Sequence, residues 1–391
     1  MFISCSSEND IWNIPDTGRA RIAGYWCPDQ VPVAKPAMVE WQKGCITGVN
    51  RWSDEAAEQP FLDWSTYYLM PGWLDAHVHL ALDAVDFQQC FERWPDRAGM
   101  EKTIHDLLEN YLRQGIVGIR DGGDQFGYGW LARQKVAAGE WRGPNICSVR
   151  EAIFRTGLYG RLLGHGVRDL EDWRAQREQF FGQGLEQCKI IISGLISFHN
   201  YGVVGAVQWN LAELTYVVAD AHRRGLKVMA HVSGTKGIDL AIQAGVDTVE
   251  HGYYMTSQQL HEIRERGMAW VPTVAPVGNL LAKATHRYTL EDKSILRRIL
   301  AEHLERIYEA FDEKVLMGVG TDAGAYNVPH AQSLLDEMIW FAQAGIPTLA
   351  VRRMATADNA RILGWYDYGK LETGTRMDTL QLCNSLQGPF A

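Results

Sequence analysis

The feature that most constrains the fold is a regular alternation of strand-like and helix-like segments through the middle of the chain. Helical patterns such as MEKTIHDLLENYLRQG and LAELTYVVADAHRRG separate eight apolar strand candidates. In order, these candidates are WLDAHVHL, IVGIRDGG, NICSVREAIF, CKIIISG, LKVMAHVSG, TVEHGYY, MAWVPTV and VLMGVGTDAG. Such alternation is typical of a parallel sheet with crossover helices. Eight units predict an α/β fold with a (β/α)8 barrel, and an open, doubly wound sheet is the structural alternative.

The chain is longer than such a barrel needs. It has 391 residues, whereas the barrel alone takes about 250. The first 66 residues contain prolines and short strand-like runs such as ARIAGYW and AMVEWQKGCITGV, and the tail LGWYDYGKLETGTRMDTLQLCNSL contains one or two more. Both ends flank the middle and neither is large enough to be stable alone, but the sequence pattern itself does not show that they pair.

Composition and charge exclude several classes of protein. The net charge of −9 and the pI of about 5.8 leave no basic surface for nucleic acid or for an anionic membrane. No apolar run approaches the length of a membrane span, and the start MFISCSSENDIWN lacks the features of a signal peptide. The seven cysteines are scattered, so they fit neither a disulfide framework nor a CxxC metal site. We therefore expect reduced cysteines and a cytoplasmic protein.

Polar residues interrupt several of the predicted strands near their C-terminal ends, where buried parallel strands should be apolar. They are His77, His79, Lys189, His231, His251 and Asp322. In a barrel this end of the strands carries the active site. His77 and His79 point to the same side because strand side chains alternate, so both imidazoles can reach one metal ion.

Each of these residues also has a purely structural interpretation. A single buried histidine is more often a hydrogen-bonded core residue than a ligand. Lys189 can extend to solvent at a strand end, and Asp322 can cap a turn or a helix. Taken together, however, six polar residues would have to fall by chance at the same end of successive strands. Since buried charges are costly unless they are paired or bound to metal, the metal interpretation is favoured.

The segments MPGWLDAHVHL, CKIIISG, VMAHVSG, VEHGYY and VGTDAGA, in this order, resemble the amidohydrolase superfamily, in particular its imidazolonepropionase-related and Xaa-Pro dipeptidase (prolidase)-like branch. The resemblance implies a (β/α)8 barrel at residues 67–357 and a small β-sandwich domain built from residues 1–66 and 358–391. It also implies two divalent metal ions, usually Zn²⁺, bridged by a carbamylated lysine.

Carried over to this sequence, the resemblance assigns a role to each polar residue. His77 and His79 match ligands of the more buried metal, and His231 and His251 match ligands of the second. Lys189 matches the bridging lysine, whose carbamate derives from CO2, and Asp322 matches the aspartate of the eighth strand. Asp322 and His251 are the residues assigned to catalysis.

The chemistry of amide hydrolysis agrees with this set of residues. A divalent metal lowers the pKa of bound water toward about 7, and a metal pair can share a hydroxide and polarise the carbonyl. Asp322 would act as general acid and base, taking the proton from the bridging hydroxide and passing it to the leaving amine. Relatives that deaminate adenosine-type rings carry a glutamate where this sequence has Gly234, which favours hydrolysis over ring deamination.

Substrate-binding residues are predicted from the loops. Arg155, Arg161 and His165 follow the third strand, and an arginine can hold a substrate carboxylate by paired hydrogen bonds; an exposed loop charge is the alternative. Tyr254 and His330 are further candidates that can equally serve packing. His199 and Tyr201 lie on a loop that can cover the site. Four other histidines lie in helical patterns and are predicted to be surface residues: His105, His222, His261 and His303.

The leading hypothesis is a metal-dependent amidohydrolase that cleaves a C–N bond of a small substrate, such as a dipeptide or an N-acyl amino acid. A lactonase or organophosphate esterase with the same metal pair is an alternative enzyme. A non-catalytic oligomeric scaffold is an alternative of another class, although all six ligand positions are retained. We expect a small-molecule substrate and a homo-oligomer, with no nucleic-acid or membrane partner.

Overall fold

A computed structural model describes residues 14–53, 58–181, 184–283 and 287–386. The strands are β1 Gly18–Tyr25, β2 Ala37–Gln42, β3 Cys45–Arg51, β4 Leu62–Pro71, β5 Trp73–Val78, β6 Ile116–Asp121, β7 Asn145–Ser148, β8 Ala152–Ile153, β9 Gln187–Ile191, β10 Lys227–Val232, β11 Thr248–His251, β12 Ala269–Val271, β13 Leu316–Met317 and β14 Leu380–Cys383. The α-helices are α1 Phe87–Arg93, α2 Arg97–Arg113, α3 Tyr128–Ala137, α4 Leu170–Phe180, α5 Leu211–Arg223, α6 Thr235–Ala244, α7 Ser257–Glu265, α8 Ala275–Ala282, α9 Leu290–Asp312, α10 Ser333–Gln343, α11 Thr348–Arg353 and α12 Asn359–Leu363. A π-helical turn at Met354–Asp358 joins the last two helices, and a 3₁₀ turn at Met377–Thr379 precedes β14.

The two ends of the chain share one sheet, a pairing that their β-rich patterns alone did not establish. Its strand order is β14-β4-β1-β2-β3, and β14 pairs antiparallel with β4. The buried face is dominated by aromatic and branched side chains, with the rings of Trp41 and Trp64 stacked at 5.9 Å. The predicted domain boundary between residues 66 and 67 falls inside β4.

All eight predicted strands of the middle are strands in the structure, and they pair in parallel. They form a three-stranded sheet, β5-β6-β7, and a six-stranded sheet, β13-β12-β11-β10-β9-β8. The third predicted strand is divided: β7 pairs with β6, and β8 pairs with β9. The division lies at Arg150, whose φ of +64° belongs to a left-handed conformation that no β-strand adopts.

Backbone hydrogen bonds connect β5 with the segment that follows β13. The amide of Ala76 donates to the carbonyl of Val319 at 3.0 Å, and the amide of Asp322 donates to the carbonyl of His77 at 2.7 Å. The side chain of Asn359 donates to the carbonyls of Leu74 and Val319 at 2.6 and 2.7 Å. The structure therefore confirms the α/β class with two parallel sheets and one terminal sheet. The closed barrel, the β-sandwich and the domain boundaries stay predictions.

Helices cover the outer side of the parallel sheets because each has one apolar face. In α5, for example, Leu214, Val217, Val218 and Ala221 are buried at helical spacing, as expected for an amphipathic helix packed on a sheet. Asn210 and Glu213 form a capping box that fixes where this helix begins. Within the described part of the chain, no helix has the length and apolar character needed to cross a membrane.

Candidate metal centre

The polar residues predicted from the strand ends converge on one point of the parallel sheets. His77 belongs to β5, Lys189 to β9, His231 to β10 and His251 to β11. His79 directly follows β5, and Asp322 lies on the loop after β13. All six are buried or nearly so. The carboxyl ends of parallel strands meet at one edge, so residues far apart in the sequence come together there.

One part of the centre consists of two histidines, the lysine and the aspartate. The Nζ atom of Lys189 lies 3.2 Å from the Nε2 atoms of both His77 and His79. Oδ1 of Asp322 lies 3.5 Å from Nε2 of His77 and 3.4 Å from Nε2 of His79. Ligand atoms of His77, His79 and Asp322 lie within 4.8 Å of one another, close enough to hold one metal ion.

The other part consists of His231 and His251. Their ring centroids are 4.5 Å apart, and the ring of His251 lies 5.1 Å from that of His77. Both Nε2 atoms are buried and have no hydrogen-bond partner among the described residues. A buried polar atom without a partner is costly, and two such atoms side by side indicate a position for a ligand that accepts nitrogen lone pairs.

The histidines of the centre are in the form that metal ions require. Burial holds the pKa of His77, His79 and His251 well below the ordinary value, and the positive charge of Lys189 lowers it further. Burial, again assisted by Lys189, lowers the pKa of His231 to about 3. All four imidazoles are therefore neutral at physiological pH, and neutral imidazole nitrogen is a metal ligand.

Lys189 and Asp322 have altered acidities as well. Burial lowers the pKa of Lys189 to about 8, against the opposing effect of the nearby carboxylates Asp322 and Glu250. Burial raises the pKa of Asp322 to about 7, while the charge of Lys189 acts in the opposite direction. Most of the Lys189 side chain is still protonated at pH 7, but its neutral amine fraction is larger than that of an unperturbed lysine.

The absence of a side chain at Gly122 lets Lys189 and His79 approach its backbone closely. A Cβ atom at this position would lie 2.8 Å from Nζ of Lys189 and 2.5 Å from Cε1 of His79. The backbone of Gly122 does not have a left-handed φ, so the requirement for glycine here is one of space rather than of conformation.

A buried charge network supports His77 from behind, and the sequence analysis missed it. Nδ1 of His77 lies 2.8 Å from Oε2 of Glu250. Nη2 of Arg120 donates to both oxygens of Glu250 at 2.8 and 3.0 Å, and the hydroxyl of Thr248 donates to Oε1 at 2.5 Å. Both charged side chains are fully buried. Their signal in the sequence is a charged residue inside an apolar strand, in IVGIRDGG and in TVEHGYY.

His251 is held differently. Its Nδ1 atom lies 2.6 Å from the hydroxyl of Thr273, and its carbonyl accepts a hydrogen bond from the indole of Trp270 at 3.0 Å. The φ of His251 is +66°, a left-handed value that is uncommon for residues other than glycine. The following Gly252, in which a Cβ atom would lie 2.6 Å from the Trp270 ring nitrogen, allows this close packing.

A cavity of about 260 Å³ opens next to His79 and Asp322. Its wall is mainly apolar and includes Leu82, Phe87, Leu158, Leu163 and Leu195, with Arg161 as its arginine. The position of the cavity beside the candidate ligands makes it the candidate substrate pocket.

The structure does not bring the other predicted substrate residues into the wall of this cavity. The guanidinium of Arg155 pairs with Glu213 at 2.5 Å, donates to the carbonyl of Arg168 at 2.9 Å and lies over the ring of Trp209 at 4.5 Å. His165 is exposed and lies 2.6 Å from Glu151. Both residues are thus engaged in contacts within the protein.

His330 and Tyr254 are also held by the protein itself. The ring nitrogens of His330 contact the hydroxyl of Tyr111 at 2.8 Å and the carbonyl of Leu82 at 2.7 Å. The hydroxyl of Tyr254 accepts a hydrogen bond from the amide of Gly202 at 3.1 Å. Tyr254 therefore supports the loop after β9, and its role in binding substrate stays a prediction.

The loop after β9 carries His199 and Tyr201 and is fastened to α9. Nδ1 of His199 lies 2.6 Å from Asp292, and the hydroxyl of Tyr201 donates to Glu302. Leu195 of the same loop lines the cavity, so this loop covers one side of the site.

The prediction that His303 is a surface residue is wrong. Its side chain is buried, its Nε2 atom lies 3.1 Å from the carbonyl of Pro272, and its ring stacks on Tyr253 at 4.0 Å. His222 and His261 are exposed as expected, and His105 is partly buried against Trp141.

The fold and the site together define an α/β protein with a histidine, lysine and aspartate cluster at the carboxyl ends of parallel strands. Residues 68–382 match the model of the amidohydrolase family. The chain belongs to that family, and it is a hydrolase that acts on carbon–nitrogen bonds.

Comparisons with individual proteins agree with this assignment. The chain is 25% identical to ochratoxinase from Aspergillus niger over 349 residues, which cover 80% of this chain and 70% of that protein. The structure is similar to a Xaa-Pro dipeptidase crystallised with methionine in its active site, with a TM-score of 0.80, 20% identity and coverage of 94% of both chains. It is also similar to the crystal structure of the A. niger ochratoxinase, with a TM-score of 0.77, 21% identity and coverage of 92% of this chain and 88% of the other.

Proposed function

We propose that this protein is a metal-dependent amidohydrolase that cleaves the amide bond of a small substrate, such as a dipeptide or an N-acyl amino acid. The observation that carries the proposal is the pair of buried, unpartnered Nε2 atoms of His231 and His251 beside the cluster of His77, His79 and Asp322. Neutral imidazoles and one carboxylate form a donor set that suits divalent zinc.

In this proposal the cluster holds two ions. His77, His79 and Asp322 would hold the first, and His231 and His251 would hold the second. Two divalent ions supply an activated water and a polarised carbonyl when they are bound. Nζ of Lys189 lies 3.2 Å from Nε2 of both His77 and His79, and its ammonium form would repel a bound cation.

A carbamate on Lys189 removes this conflict. The ammonium first loses one proton to solvent; the neutral amine then adds to CO2, a new N–C bond forms as one C=O π bond of CO2 breaks, and a second proton is released, so that a cationic side chain becomes an anionic carbamate. The pKa of Lys189, lowered to about 8 by burial, makes the neutral amine accessible. The absence of a side chain at Gly122, whose Cβ atom would lie 2.8 Å from Nζ, removes a steric obstacle to this addition.

Asp322 carries the proton in the proposed reaction. Its carboxylate takes a proton from the attacking water and delivers it to the leaving nitrogen, which balances the charge of amide cleavage. Burial raises the pKa of Asp322 to about 7, which suits a group that must both accept and release a proton near neutral pH. The left-handed φ of +58° at Asp322 is a strained conformation of the kind that occurs at functional sites.

The names of the relatives support an amide as the substrate, because one is a Xaa-Pro dipeptidase and the other an ochratoxinase. Gly234, at the start of α6, has a φ of +78°. A glutamate there would be strained, which supports hydrolysis over ring deamination.

We further propose that the two parallel sheets act as one (β/α)8 barrel, with β5 closing onto the segment after β13. The hydrogen bonds from Ala76 to Val319 and from Asp322 to His77 support this closure.

The decisive experiment measures metal content by plasma mass spectrometry and amide hydrolysis on the native protein, on Lys189→Met and on Lys227→Met. Lys227 is a matched control because it lies at the opposite end of the neighbouring strand β10 and donates to the carbonyl of Ile362 at 2.8 Å. The proposal expects about two metal equivalents in the native and control proteins, falling sharply with activity in Lys189→Met. Hydrolysis of lactones or phosphotriesters without amides would favour an esterase, and the absence of bound metal would favour the scaffold.

A further inference from the structure

The cavity beside His79 and Asp322 combines a large apolar wall with one cationic side chain among the described residues that line it. Leu158, Leu195 and Phe87 of this wall are 40%, 55% and 36% exposed, although side chains of this kind usually lie inside a protein. Arg161 lines the same cavity. Among the described residues, no carboxylate forms an ion pair with it.

Arg155 and Arg161 lie in the same loop but differ in their contacts with the rest of the protein. This difference identifies Arg161 as the arginine available to a ligand. Arg155 is occupied by Glu213, by the carbonyl of Arg168 and by the ring of Trp209. Arg161 is exposed, and its guanidinium lies over the ring of Phe91 at 5.3 Å. Within the described part of the chain, no hydrogen bond is made by the donors at the edge of this guanidinium.

The backbone on both sides of Arg161 is fixed. Gly160 has a φ of +139°, and a Cβ atom there would lie 2.4 Å from the ring of Phe154. The carbonyl of Tyr159 accepts from the side chain of Gln208 at 2.8 Å, and the carbonyl of Leu162 accepts from the amide of Gln125 at 3.1 Å. Arg161 is thus presented by an ordered turn, which lowers the entropy lost when it binds a ligand.

We propose that Arg161 binds a carboxylate of the substrate, and that the substrate is an amide whose carboxylate-bearing half also carries a large apolar group. A guanidinium matches a carboxylate through two parallel hydrogen bonds, and the neighbouring leucines and phenylalanine gain from covering an apolar side chain. This inference rests on the proposed function. It adds the chemical class of the substrate and the residue that selects it.

The test separates binding of the carboxylate from catalysis. Isothermal titration measures the affinity of the native protein, of Arg161→Gln and of Arg161→Lys for 4-phenylbutyrate and for its neutral analogue 4-phenylbutyramide. The native protein should prefer the carboxylate by about tenfold or more, as expected for a charge-assisted hydrogen bond. Arg161→Gln should lose that preference with little change for the amide, and Arg161→Lys should retain part of it.

Arg97→Gln is the matched control, because Arg97 is an exposed arginine on α2 that pairs with Glu101, and it should behave like the native protein. A carboxylate preference that is unchanged in Arg161→Gln would overturn the inference, since the carboxylate would then be bound elsewhere, for example by metal. The same would follow if the native protein did not distinguish the two ligands.

Kinetics on N-acetyl-leucine and N-acetyl-leucinamide distinguish the inference from the proposed function. If Arg161 selects the carboxylate, Arg161→Gln raises KM for N-acetyl-leucine by about tenfold and leaves kcat close to the native value. If the metal-loaded protein hydrolyses neither N-acetyl-leucine nor N-acetyl-leucinamide, the proposed function fails. The isothermal titration would still decide whether Arg161 binds a carboxylate.

Discussion

Nδ1 of His77 lies 2.8 Å from Oε2 of Glu250, and both side chains are fully buried. The carboxylate fixes the proton of the imidazole on Nδ1, which leaves Nε2 as the free nitrogen that faces Lys189 and Asp322. Arg120 neutralises Glu250 through two hydrogen bonds. A carboxylate behind a metal-ligating histidine orients the ring and increases its basicity.

The first prediction concerns the hydrogen bond by which Glu250 orients the ring of His77. Glu250→Gln should weaken the binding of the first metal by about 10–100-fold, because the ring of His77 loses its anionic partner. Competition with a chromophoric chelator measures the affinity directly.

Glu337→Gln is the control for the first prediction, since Glu337 is also a fully buried glutamate but accepts hydrogen bonds from the amides of Val274 and Ala275. It should leave metal affinity at the native value. Equal metal affinity in Glu250→Gln and in the native protein would show that Glu250 serves only the fold.

The second prediction concerns the space next to Lys189. Gly122→Ala should lower metal content and carbamate formation, because the added methyl group would lie 2.8 Å from Nζ of Lys189. Carbon-13 NMR after exchange with labelled bicarbonate measures the carbamate without reference to activity.

Gly48→Ala is a suitable control for Gly122→Ala. Gly48 lies in β3, its φ is not left-handed, and a Cβ atom there would meet the side-chain amide of Asn50 at 3.2 Å. An undiminished carbamate signal in Gly122→Ala would contradict the assignment of this space.

The strands and the cluster could be predicted from the sequence because their signals are local. An apolar run of strand length, and a histidine or lysine that interrupts it, can each be recognised within a few residues. The network behind His77 could not be predicted in the same way, because Arg120 and Glu250 are 130 residues apart and only the closure of the fold brings them together. A charged residue inside a buried strand does require a partner, but the sequence does not identify which one.

The contacts of the loop residues could not be predicted from the sequence, because they depend on tertiary packing. Arg155 and Arg161 lie in the same loop and have the same side chain, yet one is paired within the protein and the other faces the cavity. His303 follows the spacing of a surface helix, but it is buried because α9 packs against Tyr253. The environment of such residues is set by tertiary packing, which periodicity does not report.

The third prediction concerns Asp322. Asp322→Asn should lower kcat for amide hydrolysis by about 100-fold or more, because an amide cannot carry the proton from water to the leaving nitrogen. Steady-state kinetics on an N-acyl amino acid, with metal content determined on the same samples, measures the effect.

Asp312→Asn is the control for Asp322→Asn, since Asp312 is exposed at the end of α9, and it should leave kcat unchanged. Retention of native kcat by Asp322→Asn with metal bound would assign the proton transfer to another group.

The fourth prediction concerns stability and pH. Glu337 is fully buried in α10, and its two oxygens accept hydrogen bonds from the amides of Val274 and Ala275 at 2.8 and 2.7 Å. Burial raises its pKa to about 8 from the ordinary 4.5, although these two hydrogen bonds act in the opposite direction.

Between these two pKa values, the folded protein keeps a proton on Glu337 that the unfolded chain has already released. The free energy of unfolding should therefore fall as pH rises through this window, by up to about 1.4 kcal/mol per pH unit for one proton. Glu337→Gln removes this titration. Its amide cannot accept both hydrogen bonds, so the variant should be less stable at low pH by about 1–3 kcal/mol, and the difference from the native protein should shrink as pH rises.

Urea unfolding from about pH 5 to about pH 8, in the presence of a chelator, measures both curves. Glu101→Gln, which changes a partly exposed residue on α2 paired with Arg97, should follow the native curve throughout. Burial also raises the pKa values of Asp75 and Asp124 to about 7. Part of the decrease in the free energy of unfolding with rising pH should therefore persist in Glu337→Gln. Parallel curves for the native protein and Glu337→Gln would mean that Glu337 is ionised in the folded protein, because the amides at the start of α8 would then stabilise the charge more than burial opposes it.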